Sequence, residues 1–473
     1  MISRMRDGAS SAVPDHEVAV VGGGIAGLAA AFWLEHDHGI RDLVVIEADA
    51  VAGGKVRSRV EDGYTLEWGP QGFLDNAPDT LELARLAGLG ERLVRADEAA
   101  ADRFILRAGR LRRIPLSPAR LLASDVLPLP ARLRVLGEPF ARRRPETDES
   151  VYDFARRRIG RGAAEILVDA MVTGVFAGDS RQLSLAATFP KMAAMEAEFG
   201  SLTRAMIAKA RQARRAGTSA GGPAGPGGTL TTFAGGMGEL PAALAGALGE
   251  RLLLRAPVRS LRREGSLYRV HGDGIDLTAR RVIVAAPAGA AADILAGACP
   301  AAAEPLGAIP TAPITVVMAA YGDRGAFGRP VSGFGFLVPG RERAGILGCL
   351  YCHDIFPGQA PPGRLLLRTM LGGARDPEGV DLDDEATLGR VDAALARVFG
   401  RQAVPSRTWI IRHRRAIAQY TIGHLERVAA AEAAAAEAGI VLTGSSYHGV
   451  SVNDCIRQAR EAARRAAELI RGR

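Results

Sequence analysis

Lysine is almost missing from this chain of 473 residues. Lys55, Lys191 and Lys209 are the only three among 60 basic residues, so the net charge of +8 is carried by arginine. The arginine accompanies abundant alanine and 57 glycines, a composition bias as much as a polyanion-binding surface, and no nucleic-acid motif goes with the charge. Nucleic acid is therefore not an expected partner. Aromatic residues make up 5% of the chain, and the four cysteines (Cys299, Cys349, Cys352, Cys455) are too few for a disulfide framework, which fits a reducing cytoplasm. The opening MISRMRDGASSAVPDHE lacks the apolar core of a secretory signal. The uncharged run from Val18 to Leu34 is 17 residues long but holds four glycines, and a membrane-crossing helix usually needs about 20 apolar residues, so no spanning segment is expected. No Ser/His/Asp set, metal-binding cluster or paired carboxylates can be nominated as acid, base or ligand. The length allows two or three domains and a large core.

What is present begins with EVAVVGGGIAGLAAAFWLEHDHGIRDLVVIE, from Glu17 to Glu47. A short apolar run, a glycine turn, an Ala/Leu-rich helical run and a second β-branched run ending in an acid predict a βαβ unit. Gly22, Gly24 and Gly27 have the G-x-G-x-x-G spacing: the first for a tight turn, the second for close approach of backbone to a pyrophosphate, the third for close packing of helix on strand. Gly23, Ile25 and Ala26 complete the loop, and the phosphates would sit on the helix N-terminus, where free N–H groups and the macrodipole favour an anion. Glu47, followed by Ala48, stands where a carboxylate can accept hydrogen bonds from a ribose diol. Gly53-Gly54-Lys55 comes soon after. A nicotinamide site does not need this second glycine pair, but a long extended dinucleotide does, so FAD is favoured over NAD; Lys55 or Arg57 would add positive charge. Gly69-Pro70-Gln71-Gly72 is a rigid turn, either beside the cofactor ring or on the surface.

From Arg103 to Arg158 fourteen arginines face six acids, interleaved with Leu121, Leu122, Leu127, Leu129, Leu133, Val135, Leu136 and Phe140 and broken by prolines 115, 118, 128, 130 and 139 into short helices. This is either a solvated helical insert or a surface that lies on a membrane, with basic residues on anionic headgroups and apolar ones among acyl chains. Residues 150 to 210 read as helices interrupted at Gly174 to Gly178, and Ala216 to Thr229 as a flexible loop. Strand-like runs fill Leu252 to Ala286, and others from Ile309 to Trp409 predict an antiparallel sheet. Cys349-Leu-Tyr-Cys-His353 matches the c-type haem pattern, but alternation puts the two cysteines on opposite faces. Near the end, a helix (Glu426 to Ala438), a strand (Ile440 to Thr443) and Gly444 precede a final Ala/Arg-rich helix, with Asn453 or Asp454 as its N-cap.

Five further segments, in order, carry a resemblance that covers nearly the whole chain: Gly69 to Leu74, Gly174-Val-Phe-Ala-Gly-Asp179 with Leu183-Ser184, Gly333-Phe-Gly-Phe-Leu337, Gln419-Tyr420-x-x-Gly423-His424, and Gly449-Val-Ser-Val-Asn-Asp-Cys-Ile456. The chain resembles the protoporphyrinogen oxidases of the FAD-dependent amine-oxidase superfamily. The resemblance implies an α/β fold with a Rossmann-type FAD-binding domain (1–95, 228–306 and 421–473), an α+β substrate domain (96–118 and 307–420) and a helical membrane-associating insert (119–227). It implies noncovalent FAD touching Gly69, Pro70, Gln71, Gly72, Val258, Ala286, His413, Gly444 and the N–H groups of Val450, Ser451 and Val452. On the substrate side it implies Arg103 on a propionate, the Gly174 carbonyl on pyrrole N–H groups, Leu337 and Leu350 on the macrocycle, Met370 packed beside it, and Gln71 near the reacting carbon. The implied reaction is oxygen-dependent oxidation of protoporphyrinogen IX with release of hydrogen peroxide, by a cytoplasmic enzyme bound to the inner face of the membrane; a homodimer and hand-over to a ferrochelatase are part of the same expectation. Coproporphyrinogen III is the nearest alternative substrate, and an amine oxidase or desaturase a further one. The chain departs from the family pattern at His413, where many members have Trp, and at Ala418, where proline is usual.

Overall fold

A computed structural model describes residues 13–115, 117–141, 147–215 and 228–472. Most of the expected loop Ala216 to Thr229, and the arginines 142–144 of the basic stretch, lie outside these residues.

Two seven-stranded sheets organise the molecule. In the first, His16–Val21 lies between Leu43–Ile46 and the end of Ile275–Val284, all parallel, with Leu252–Leu253 and Ile440–Leu442 extending the parallel set. The beginning of Ile275–Val284 instead pairs antiparallel with Leu267–Gly272, which pairs in turn with Val258–Glu264. Both faces are covered, so the strands are continuous apolar runs rather than alternating ones. Val18, Val20, Leu43 and Val45 pack under the helices Ile25–His38 and Val452–Arg471; Ala19, Val21, Val44 and Ile46 pack against a second layer that includes Ala288–Leu295 and His424–Glu437.

The second sheet runs Arg407–Ala418, Thr311–Tyr321, Leu365–Gly372, Gly348–Tyr351, Gly335–Leu337, Arg103–Arg107, Arg110–Arg113. It is mixed rather than antiparallel, because Gly335–Leu337 pairs parallel with Arg103–Arg107. That pairing corrects the expectation of an antiparallel sheet, and the hairpin Arg103–Arg113 corrects that of short helices from Arg103 onward; the register places Arg103 opposite Gly335.

The helical insert, Pro118–Ala123 to Leu202–Arg215, follows the prolines as expected, with Leu129–Leu136 starting one residue after Pro128. Gly174 is corrected: it lies within the last turn of Asp169–Phe176, which ends at Ala177 in the left-handed conformation. The insert is pinned by a buried ion cluster in which Arg158 meets Glu138 and Glu196, and Arg157 meets Glu149 and Glu196. Burial alone would raise the Glu138 pKa, but the Ser201 hydroxyl, Thr203 and Arg158 outweigh it and hold the carboxyl at about 2, against an ordinary 4.5. Its contribution is therefore complete above pH 4.5 and fades only as pH falls toward 2. Removing one partner of a buried pair leaves a stranded charge, typically costing about 3–5 kcal/mol. Since Arg158 keeps Glu196, Glu138→Ala is expected near the lower end, read as a fall in denaturation midpoint at pH 7 that narrows below pH 4.

Candidate functional site

At the carboxyl ends of the parallel strands the chain forms a cradle almost free of side chains. Helix Ile25–His38 starts at Gly24 with no side-chain cap, which leaves the N–H groups of its first turn for an anion. A Cβ on Gly27 would lie 1.9 Å from the Gly22 carbonyl oxygen, so only glycine lets helix and strand meet this closely. Gly22, at φ 110°, packs on the backbone of Ala285 and Ala286. The Gly53 N–H donates to the Gly23 carbonyl at 2.8 Å, so the second glycine pair continues the floor of the first. Buried Glu47 accepts from the Gly23 N–H at 2.7 Å through one carboxylate oxygen and from the Asp49 N–H at 2.8 Å through the other, leaving further lone pairs on each for a ribose. The Ala256 N–H donates to the Glu47 carbonyl, which brings the chain at Val258 to within two residues of that corner. Ala48 beside it is exposed.

A second helix start faces the same space. The N-cap of Val452–Arg471 is Ser451, not Asn453 or Asp454: its hydroxyl accepts from the Asp454 N–H, because residues 452–454 already have helical geometry. Asn453 is spent instead on the Leu74 carbonyl and Thr80. The half-buried Val450 leads into this cap, and Gly444 lies near Ala26 and Ala285.

Between the two sheets runs the segment Trp68 to Gly72. Gly69 backs on Lys55, where a Cβ would lie 2.1 Å from the lysine carbonyl oxygen. Pro70 follows; buried Gln71 donates to Gln359 and accepts weakly from the Cys352 thiol, and Gly72 packs on Thr231. The His413 ring is 2.8 Å from the Trp68 carbonyl, and burial together with the cations Lys55, Arg368 and Arg57 holds its pKa below the ordinary value. Burial likewise depresses the ammonium pKa of Lys55, which has no carboxylate partner among the described residues.

The second sheet supplies a wall. Leu337, Leu350 and Met370 are half-buried, with Leu350 opposite Gly335 and Met370 opposite Gly348. Gly174 faces Leu337: a Cβ there would come within 2.6 Å of the leucine Cδ2. Because Ala177 breaks the helix, no described hydrogen bond ends on the Gly174 carbonyl, which remains free to accept one. At the rim, exposed Arg103 lies 4.7 Å above the Phe334 ring and has no ion-pair partner among the described residues. Asp354, buried below, holds the 332–334 loop through the Ser332 hydroxyl and the Gly333 N–H.

Sequence reasoning missed Asp354, Gln359 and above all Arg368, whose signal was an arginine inside the apolar run LLLRTMLGG. The C-x-x-C-H motif has its thiols on two faces, Cys349 among Phe336 and Tyr351, Cys352 among Tyr64 and Leu366, each pushed up to about 12 by burial. Among the described residues no group of three or more His, Cys, Asp or Glu is arranged to hold a metal ion.

The flavin containing amine oxidoreductase profile matches residues 25–467, and the chain belongs to that family. It is 35% identical to human protoporphyrinogen oxidase, covering 94% of this chain and 97% of the relative, and 30% identical to coproporphyrinogen III oxidase of Bacillus subtilis, covering 94% and 96%. A crystal structure from Exiguobacterium sp. 255-15 superposes with a TM-score of 0.81 at 27% identity, covering 96% of this chain and 99% of that one. The chain is thus a flavin-dependent oxidoreductase, and the cradle fits the group: a helix start without a side-chain cap for an anion, a floor without side chains and a buried carboxylate at its far end.

Charge-assisted hydrogen bonds are worth roughly 1.5–3 kcal/mol. Glu47→Leu is therefore expected to weaken flavin binding at least ten-fold by fluorescence titration, with the far-ultraviolet circular dichroism unchanged.

Proposed function

We propose that this chain oxidises protoporphyrinogen IX to protoporphyrin IX, the six-electron, oxygen-dependent step of haem biosynthesis, using noncovalently held FAD. The observation that carries the reading is Arg103, without an ion-pair partner among the described residues, at the rim of an apolar wall whose Leu337 meets Gly174, in a chain related over nearly its full length to porphyrinogen oxidases. When bound, FAD takes two electrons in each of three rounds and passes them to dioxygen, with release of hydrogen peroxide.

The chain's own part is binding, orientation and exclusion of water. Arg103 clamps a propionate with two parallel hydrogen bonds, its guanidinium plane set by Phe334. Leu337 and Leu350 enclose the macrocycle, Met370 packs beside it, and the Gly174 carbonyl accepts from pyrrole N–H groups, which fixes which carbon faces the ring. Gln71, steadied by Gln359, lies near that carbon. Residues 1–95, 228–306 and 421–473 form the FAD-binding unit in this reading, and 96–118 with 307–420 the substrate unit. Coproporphyrinogen III is the second reading, favoured by the Bacillus subtilis relative; one unpaired arginine at the rim suits two carboxylates better than four.

The insert (119–227) lies on the membrane in this proposal. Leu129, Leu133 and Leu136 share one helix face, 59–64% exposed, and Phe140 beyond them is 87% exposed, among the arginines at 120, 132 and 134. No helix among the described residues is long and apolar enough to cross a membrane, so contact would be with one leaflet. A cytoplasmic enzyme seated there could act as a homodimer and hand its apolar product to a ferrochelatase on the same surface.

Aerobic incubation with each porphyrinogen, followed by porphyrin fluorescence and peroxide release, tests the reaction; faster turnover of coproporphyrinogen would decide for the second reading. An anchor that grips ground and transition states alike contributes uniform binding, so Arg103→Ala is expected to raise KM several-fold to ten-fold with little change in kcat, and Arg103→Lys to recover part of it. Sedimentation with anionic vesicles is expected to fall with salt, and Leu133→Glu/Phe140→Glu to abolish it while leaving turnover in detergent intact.

A further inference from the structure

Arg368 is a buried cation with no ion-pair partner among the described residues. It sits in the strand Leu365–Gly372, whose leucines are fully buried, and is itself only 6% exposed. Register places it between Met318 on one neighbouring strand and Leu350 on the other, on the face that also carries Met370 and looks toward Trp68 to Gly72. One terminal nitrogen donates to the Gly69 carbonyl. The buried Nε has no partner, and none is described for the other terminal nitrogen. The acid that attracts it, Glu67, forms no ion pair with it: its oxygens accept from the Met237 N–H at 2.8 Å and the Ser58 hydroxyl at 2.7 Å, and burial pushes its pKa up to about 7. Lys55 and Arg57 add to the positive charge around the same corner.

An arginine does not discharge in a protein, so burial cannot be relieved by loss of a proton. Stranding its charge away from water costs several kcal/mol unless an anion answers it. Among the described protein atoms only Glu67 attracts it, without an ion pair, and the guanidinium is tied to Gly69, two residues from the Gln71 that lies near the reacting carbon in the proposed function, on which this inference rests. A hydride carries two electrons and one proton. An oxidised neutral ring that receives it therefore gains one negative charge, while the porphyrinogen gains one positive charge and sheds it as an N–H proton.

We propose that Arg368 is the fixed counter-cation of the reduced flavin: a positioning charge on the substrate sheet that favours the negative charge the ring acquires and so sets its reduction potential. It complements the helix start at Val452, which supplies only partial charge. Because Arg368 neighbours Leu350 and Met370, the charge stands on the side from which substrate approaches.

The test compares Arg368→Met and Arg368→Lys with the wild type, each as the flavin-loaded full chain. The readouts are the two-electron midpoint potential at fixed pH by spectroelectrochemistry, and KM and kcat for protoporphyrinogen. Replacement of a buried ion by an apolar side chain of similar volume is often neutral or stabilising, so the methionine variant is expected to fold, checked by the thermal midpoint of the flavin-free protein. The expected result is at least a ten-fold fall in the equilibrium constant for reduction in the methionine variant, about 30 mV for a two-electron couple. The lysine variant should keep most of the wild-type potential, and kcat should fall with KM little changed. Potentials equal to the wild type in both variants would overturn the inference. So would a raised KM at unchanged potential, which would make Arg368 a second carboxylate anchor, or loss of flavin from both variants with the fold intact, which would make it a binding residue. Failure of the flavin reading itself is distinguishable, since the wild type would then take up no flavin.

Discussion

The contact between helix Ile25–His38 and strand His16–Val21 at Gly22 and Gly27 constrains the rest of the molecule. With a Cβ on Gly27 only 1.9 Å from the Gly22 oxygen, no other residue allows the helix start to come down on the carboxyl edge of the sheet. Once it does, the unpaired N–H groups of its first turn are left for an anion, and phosphate groups there can be satisfied without water. The fully buried strands beneath supply the rigidity, because a sheet covered on both faces cannot shift without opening apolar surface.

Several polar bonds tie the second sheet and the adjoining Gln359 to this frame: His413 to Trp68, Arg368 to Gly69, Gln359 to Gln71, and Trp409 to Glu61. The first three end on the segment 68–72, so the wall that would meet substrate is fastened to the turn that would meet the ring. The insert joins the same wall from the other side, where Gly174 meets Leu337, and Arg375 grips Asp169 from just beyond the strand bearing Met370. The close packing of helix and sheet makes geometry at the pocket depend on residues well outside it.

Charge is distributed unevenly across this arrangement. In the insert, arginines and acids are matched in a buried cluster, which stabilises a helical unit with a small core. At the site, Arg103, Lys55 and Arg368 lack carboxylate partners among the described residues. Arg103 is exposed and keeps its hydration, whereas Arg368 is buried, where a cation without an ion-pair partner is costly to hold.

The sequence by itself determined the βαβ unit with its glycine turn and terminal acid, because these rest on short-range patterns: glycine spacing, an acid at a strand end, and apolar runs of strand length. It also marked the insert's broken helices, since proline acts locally. It did not determine the parallel pairing of Gly335–Leu337 with Arg103–Arg107, which brings together residues more than two hundred positions apart and puts Arg103 over Phe334. Nor did it place Gly174 inside a helix or make Ser451 the cap, since helix ends shift by a residue or two with tertiary contacts. Arg368 was visible only as an oddity in an apolar run. Its lack of an ion pair is a property of the assembled site, where Glu67 bonds to Ser58 and the Met237 N–H and not to the guanidinium, because unlike a glycine turn an ion pair exists only once the fold has chosen its neighbours.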